Sequence, residues 1–304
     1  MDKSNVVPYS DSTIAYFLDT EKKPALSINS GELVVFETMN AFSQETDTQE
    51  QLNEVISSGF HHPFTGPVYI NGVQVGQTIE VLINDIHLAD YGYTCISRSS
   101  GVLKGRFTNR NYKKIKIEGN YCLFEGNKLR INPSVGGVGL ADPNMTRNGA
   151  TSKHGGNLDI RWANKGARIF LPVGVQGGLL YMGDLHARQG NGEISGIALE
   201  VSGKVEAIVS THNISIPCPI MQTNGGILIF GYGETFDQSV QVATEHSIQI
   251  LGEYLVISPE DSYMLLSLSS DIIIGHLTGR IKSVAIFIPD EVLNIEVILN
   301  GVTA

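Results

Sequence analysis

The feature that most limits what this chain can become is a long succession of short β-type segments. They run through its first two thirds, separated by Gly, Asn and Pro turns, with little helix between them. Leu33-Val34-Val35-Phe36 follows the turn Asn29-Ser30-Gly31. Pro67-Val68-Tyr69-Ile70 enters Asn71-Gly72, which reads as a hairpin turn. Thr78 to Ile86 is β-branched and apolar, as a well-buried strand requires, and Ala167 to Val173 is another such run, stopped at Pro172. Glu193 through Ser210 alternates as a pair of strands around Ser202-Gly203-Lys204. Strands that follow one another without intervening helices favour a sandwich or barrel over a parallel α/β sheet.

The pattern changes after about Gly231. Phe236, Val240, Ala243, Ser247 and Leu251 recur at helical spacing. Ser258-Pro259-Glu260-Asp261 starts a second helix: Ser caps, Pro fits the first turn, and the acids suit the positive end of the helix dipole. Met264, Leu265 and Leu268 are expected to face a core, and Asp271 to Ile274 and Ser283 to Pro289 to close as strands. The expectation is a mainly β chain, sandwich- or barrel-like over residues 1–230, with an α+β part over 231–304 packed on it. Neither a linker nor a short-period repeat separates the two.

Charge and cysteine usage narrow the partners. With 21 Lys+Arg against 31 Asp+Glu the net charge is −10, which repels phosphate backbones and anionic membranes. No apolar run reaches the ~20 residues that span a bilayer, and the N-terminal segment lacks the basic start and apolar stretch of a signal peptide. Cys95, Cys122 and Cys218 are too few and too scattered for a disulfide framework or a CxxC site. A cytoplasmic protein without nucleic-acid or membrane partners is expected, leaving small molecules and cations.

Polar residues embedded in glycine mark the central third: His154-Gly155-Gly156-Asn157-Leu158-Asp159, then Gly183-Asp184-Leu185-His186-Ala187-Arg188-Gln189-Gly190-Asn191-Gly192-Glu193. Glycine admits positive φ and close approach of a ligand, so such loops build sites well. Asp184 and His186 are two apart, which in extended backbone puts a carboxylate and an imidazole on one face, able to grip one metal. Asp159 and Glu193 are the nearest further oxygen ligands or bases. A bland reading stands beside this one: Gly-Asn-Gly is a ready β-turn, Asp184 an Asx-turn residue and His186 a satisfied strand-end histidine. Glu37 reads as a strand-end charge, His61-His62 as a surface pair before Pro63, and His87, His212, His246 and His276 as structural.

Several chemistries are set aside. The chain has no GxSxG elbow and no GxxxxGK[ST] loop, and Gly136-Gly137-Val138-Gly139 lacks GxGxxG spacing. It also lacks the Gly-Gly-Ser-Ser run of serine amidases and a nitrilase-type setting around any Cys.

Taken together, the segments Pro63-x-Thr65-Gly66-Pro67-Val68-Tyr69 with Gly72 and Gly76, Gly136-Gly137-Val138-Gly139 after Pro133, and the two polar runs above resemble the acetamidase/formamidase family. Leu171-Pro172-Val173, Gly178-Leu179-Leu180 and Ser262 through Asp271 continue the match, in order, from about Gly31 to Pro289. The resemblance implies a β-sandwich with an attached α+β part that hydrolyses short amides such as formamide and acetamide to carboxylate and ammonia. It implies a divalent metal, zinc by virtue of His186 with calcium as the all-oxygen alternative, and a homodimer. Carried over residue by residue, Asp159, Asp184, His186 and Glu37 are the metal candidates, Glu193 the catalytic base, and His154, Asn157 and Gln189 the substrate lining. The chain departs from the family at Asn40, where an acid is common, at Gly275-His276 and at Asp290. Alternative functions are a non-catalytic β-sandwich that binds a small ligand around a structural metal, and hydrolysis of a larger or cyclic amide.

Overall fold

The computed structural model describes residues 5–42, 48, 50–51, 54–55, 62–96, 100–107 and 111–300; His61 lies outside them. The protein is mainly β. The N-terminal strands are β1 (Val6–Val7), β2 (Ile14–Ala15), β3 (Leu26–Ile28), β4 (Glu32–Thr38), β5 (Phe64–Ile70) and the 18-residue β6 (Thr78–Cys95). A meander of β7 (Tyr112–Glu118), β8 (Tyr121–Phe124) and β9 (Asn127–Arg130) precedes β10 (Ser134–Leu140), β11 (Thr151–Ser152), β12 (Gly155–Asn157), β13 (Arg168–Pro172) and β14 (Leu180–Arg188). Then come β15 (Leu199–His212), β16 (Ile220–Thr223), β17 (Gly226–Gly233), helices α1 (Phe236–Leu255) and α2 (Pro259–Ser269), β18 (Asp271–Ile274), β19 (Lys282–Pro289) and helix α3 (Ile295–Asn300).

Hydrogen bonds join these strands into one curled sheet, and β15 is the strand on which it turns. Its first residues pair with β14, Leu185 opposite Val201 and His186 opposite Glu200. From Gly203 to Val209 the same edge pairs with β4, while the other edge follows β6 throughout. The β15–β6 register slips between Val201 and Gly203, a bulge of the kind that lets a strand pass from one layer to another. Gly203 sits there because a Cβ would fall 2.2 Å from the His87 carbonyl oxygen. The expected turn at Ser202-Gly203-Lys204 is therefore a bulge inside one continuous strand, not the end of two.

The Asn71-Gly72 turn forms, with Gly72 at φ 80°, but no hairpin follows. The chain turns again at Gly76 (φ 89°), so β6 leaves for β15 and β13 while β5 pairs with β14, β2 and β3. Between the layers lies a core that includes Val34, Phe36, Ile79, Val81, Met182 and Leu185, all fully buried. Each such side chain contributes roughly 1.5–3 kcal/mol of apolar burial.

The ladder continues without a break through β13–β16–β17–β19–β18. Against β17 and β19 lies α1, through Ala243, Ile250 and Leu251; Thr235 and Gln238 form its capping box. Ser258 caps α2 with Pro259 in the first turn, as its sequence indicates. The inward face of α2 is nevertheless Ser262 and Leu266, and Met264 and Leu268 are exposed. One short turn against α1 needs only that narrow stripe, so two of the three expected core residues point to solvent. Among the described residues no helix is long and apolar enough to cross a membrane.

Candidate active site

The site is built on adjacent strands and completed by loops. On β14, Asp184 and His186 share one face, as their spacing requires. Across from them on β10 lie Gly136 and Ser134, since Ser134 pairs with His186 and Val135 with Leu185. The other neighbour, β15, places Glu200 opposite His186. The loop after β12 brings Asp159, the loop after β14 brings Gln189 and Glu193, and His62 and His276 arrive from before β5 and after β18. Asp159, Asp184, His186 and Glu200 are all 1% exposed.

His186 Nε2 is the hub. It lies 3.4 Å from Glu200 Oε2, 3.6 Å from Asp184 Oδ1 and 4.0 Å from Glu193 Oε1. These separations are long for hydrogen bonds. They are close to the ~3.4 Å edge between two ligands of a tetrahedral ion with bonds of about 2.1 Å. Two trios, Asp159–His186–Glu193 and Asp184–His186–Glu200, have ligand atoms all within 4.8 Å of one another. Asp159 Oδ1, both Asp184 carboxylate oxygens, Glu193 Oε1 and Glu200 Oε2 are buried without a hydrogen-bond partner among the described residues. Buried carboxylate oxygens are costly to leave in that state.

The space they face is kept open by glycine. A Cβ on Gly136 would stand 2.7 Å from Asp184 Oδ2, 2.7 Å from His186 Cε1 and 2.8 Å from Asp159 Oδ1. A side chain there would occupy the place where the ligands converge. The donor set, one imidazole with several carboxylates around a void, fits a divalent cation.

Charge and backbone both carry the cost of assembling this cluster. The ion-pair partners of the four acids among the described residues are all imidazoles: His62 Nδ1 is 3.4 Å from Asp184 Oδ1, and His276 Nδ1 is 2.7 Å from Asp159 Oδ2. Burial disfavours charge on Asp184, yet His186 and His62 outweigh it and hold its carboxyl well below the usual range. Burial likewise opposes charge on His186, but Glu200 and Asp184 raise it well above an ordinary imidazole. For Glu193, burial and the Asp159 carboxylate push the pKa well up; burial also raises Glu200, partly offset by His186. A cation would replace this mutual repulsion with shared attraction. Of eight non-glycine residues at positive φ among those described, four belong here: His62 (57°), Asp159 (47°), Asp184 (61°) and Glu193 (37°). Such backbone costs of order 1–3 kcal/mol per residue and concentrates at functional sites.

The structure thus brings Asp159, Asp184, His186 and Glu193 together. Asn157 joins them by donating Nδ2 to Asp159 Oδ2 at 2.5 Å, and Gln189 by donating Nε2 to the Asp159 carbonyl at 3.2 Å. His154 is elsewhere, its Nδ1 donating to the Pro172 carbonyl at 2.7 Å. Glu37 is also outside: β4 turns its side chain away, and Lys204 Nζ binds Oε1 at 2.8 Å. Glu200, His62 and His276 join a site to which sequence reasoning did not assign them. His62 and His276 line an opening of about 640 Å³, with Ala41, Phe42, Arg147 and Ile197 among its walls. Glu200 carried a signal, an acid inside the apolar run Ile197-Ala198-Leu199-Glu200-Val201. His62 and His276 had none, because the carboxylates they meet are remote in the chain.

Comparison with known proteins places this geometry. The family model described as acetamidase/formamidase matches residues 19–148 and 140–295. A relative from Schizosaccharomyces pombe is 26% identical over 266 residues, 65% of this chain and 62% of its own length. A formamidase from Methylophilus methylotrophus is 29% identical over 170 residues, 47% of this chain and 41% of its own. The chain therefore spans less than two thirds of both curated relatives. The crystal structure of an acetamidase from Bacillus halodurans superposes with TM-score 0.89 at 30% identity, covering 94% of this chain and 97% of that one. With its sheet, its glycine-lined acidic cluster and a match over most of its length, the chain belongs to the acetamidase/formamidase family.

Proposed function

We propose that this protein hydrolyses short-chain carboxamides of the formamide and acetamide type to carboxylate and ammonia, with a divalent metal, zinc by preference, held at His186. The observation that carries the reading is the ligand-like spacing of carboxylates about His186 Nε2 over the void at Gly136. Family membership supports the amide as substrate.

Amide hydrolysis is slow because the carbonyl is a weak electrophile and the amine a poor leaving group. The metal would polarise the carbonyl and bring the pKa of a bound water toward ~7. Asp184, His186 and Glu200 would hold the cation, with Asp159 approaching the same void from the opposite loop. Asn157 and Gln189 fix Asp159 through its carboxylate and its backbone. Glu193 is the base: its carboxylate takes the proton of the attacking water and returns it to the departing nitrogen, a role worth ~10²–10⁴-fold. His62 and His276 border the opening through which a small amide enters. Imidazole among the ligands is what favours zinc over calcium, which takes oxygen donors. The same reading carries a cytoplasmic setting, which three free buried thiols support, and a homodimer, which sedimentation would test.

The test is ammonia release from formamide and acetamide by protein purified without chelator, then stripped and reloaded. Activity that follows metal content and falls at least ~100-fold in Glu193→Gln supports the reading. Full activity in the stripped protein, or in Glu193→Gln, overturns it.

A further inference from the structure

His186 has two ring nitrogens and only Nε2 faces the carboxylates. Nδ1 is buried without a hydrogen-bond partner among the described residues, and so is the hydroxyl of Ser134, a residue with no exposure at all. These two orphans are not strangers. Ser134 stands directly opposite His186 in the β10–β14 ladder, and directly opposed residues project to the same face with Cβ atoms about 4.5–5.5 Å apart. On the other side of β14, His186 is opposite Glu200. A row of hydroxyl, imidazole and carboxylate therefore crosses three strands, with Nε2 within 3.4 Å of Glu200 Oε2. A turn of Ser134 about χ1 between staggered positions carries Oγ through roughly 2.4 Å, enough to meet a cross-strand neighbour.

We infer that Ser134 is a positioning residue: its hydroxyl accepts the Nδ1–H of His186, which fixes the ring's orientation and leaves Nε2 as the nitrogen offered to the cation. As a ligand the imidazole would carry one ring proton, and holding it on Nδ1 is what frees the Nε2 lone pair for the cation. A metal-bound histidine commonly hands its other N–H to an outer partner, and loss of that partner costs ~10–100-fold in metal affinity. Two buried polar atoms without another partner among the described residues would satisfy each other by this contact. Ser134 is assigned no contact with substrate, and its action runs through His186. The inference rests on the proposed metal site for its purpose but not for its first test.

That first test uses metal-free full-length protein. Wild type and Ser134→Thr are expected to show the His186 Nδ1–H proton resonance displaced downfield by a hydrogen bond, and Ser134→Ala to show it well upfield of the wild-type position. The second is zinc affinity by chelator competition: Ser134→Ala is expected to bind 10–100-fold more weakly, and Ser134→Thr to recover to within about threefold of wild type. If wild type binds no zinc, the metal reading fails while the resonance still decides the role of Ser134. A His186 Nδ1–H resonance that stays at the wild-type position in Ser134→Ala overturns the inference, whatever the affinity does. So does an affinity unchanged in Ser134→Ala, or one lost equally in Ser134→Ala and Ser134→Thr at unchanged melting temperature.

Discussion

Substituting Gly136 by alanine adds one methyl group at the point where the candidate ligands converge. The new Cβ would lie 2.7 Å from Asp184 Oδ2 and His186 Cε1 and 2.8 Å from Asp159 Oδ1. Ordinary contact begins near 3.4 Å, so each group must retreat by roughly 0.6–0.7 Å, about three times the ±0.2 Å that metal coordination tolerates. Gly136 is not among the residues at positive φ, so alanine suits the backbone and gains ~0.4–1 kcal/mol through the unfolded state. Overpacking takes back about 1–3 kcal/mol, leaving a net loss of about 0–2.6 kcal/mol. At an unfolding entropy of roughly 2.1 cal/mol/K per residue, that moves the melting temperature by about 4 °C or less. Calorimetry, metal analysis and ammonia release on the same preparation should therefore show a folded Gly136→Ala protein. Its metal content should be substoichiometric and its kcat/KM at least ~100-fold down. Gly137→Ala is the control: its Cβ would fall 2.0 Å from Phe64 Cζ in the core, so stability drops by more than 1 kcal/mol while the ligands are untouched. If Gly136→Ala keeps full metal and activity, the void is not the binding site and the reasoning fails.

Three further outcomes follow from the same geometry. Glu37→Gln breaks a half-exposed pair with Lys204 worth ~0–1 kcal/mol, so activity should stay within threefold; a 100-fold loss would restore Glu37 as a ligand. Burial opposes charge on His62, but Asp184, Glu200 and Asp159 raise its pKa to about 9. Its folded pKa exceeds the unfolded value near 6.5, so the stability it contributes is full below 6.5 and lost as pH rises through 9. That contribution is at most about 3 kcal/mol; denaturant melts of metal-free protein from pH 6 to 9.5 should show the fall, and His62→Asn should flatten it. Zinc at a thousandfold over its dissociation constant should add ~4 kcal/mol, about 6 °C in melting temperature, and a thermal scan with no shift would argue against a preformed site.

What the sequence made legible was what local spacing controls. Asp184 and His186, two apart in a β14 that alternates, could be assigned to one face before any tertiary contact was known. Glu193 and Asp159 followed from glycine-rich loops, whose composition advertises unusual backbone, and both indeed sit at positive φ. Glu200 was lost because residues 193–210 read as two strands around Gly203, and only the continuous β15 sets Glu200 opposite His186. No spacing rule relates His62 to Asp184 or His276 to Asp159, since those pairs are 122 and 117 positions apart and meet only when the sheet curls. Residues carried over by resemblance lie unevenly about the cluster for the same reason. His154 lies beside Asn157 in sequence, yet its ring is held by the Pro172 carbonyl on β13. The exposed Met264 and Leu268 show the converse failure, an apolar stripe on a short helix whose phase is chosen by the neighbour it meets.

The most direct measurement of the central claim is an anomalous difference map at the zinc edge, from crystals grown with zinc. The account predicts a peak about 2.0–2.1 Å from His186 Nε2, within reach of the Asp184 and Glu200 carboxylates and over Gly136. No peak at His186 in crystals of protein that releases ammonia from formamide would contradict it.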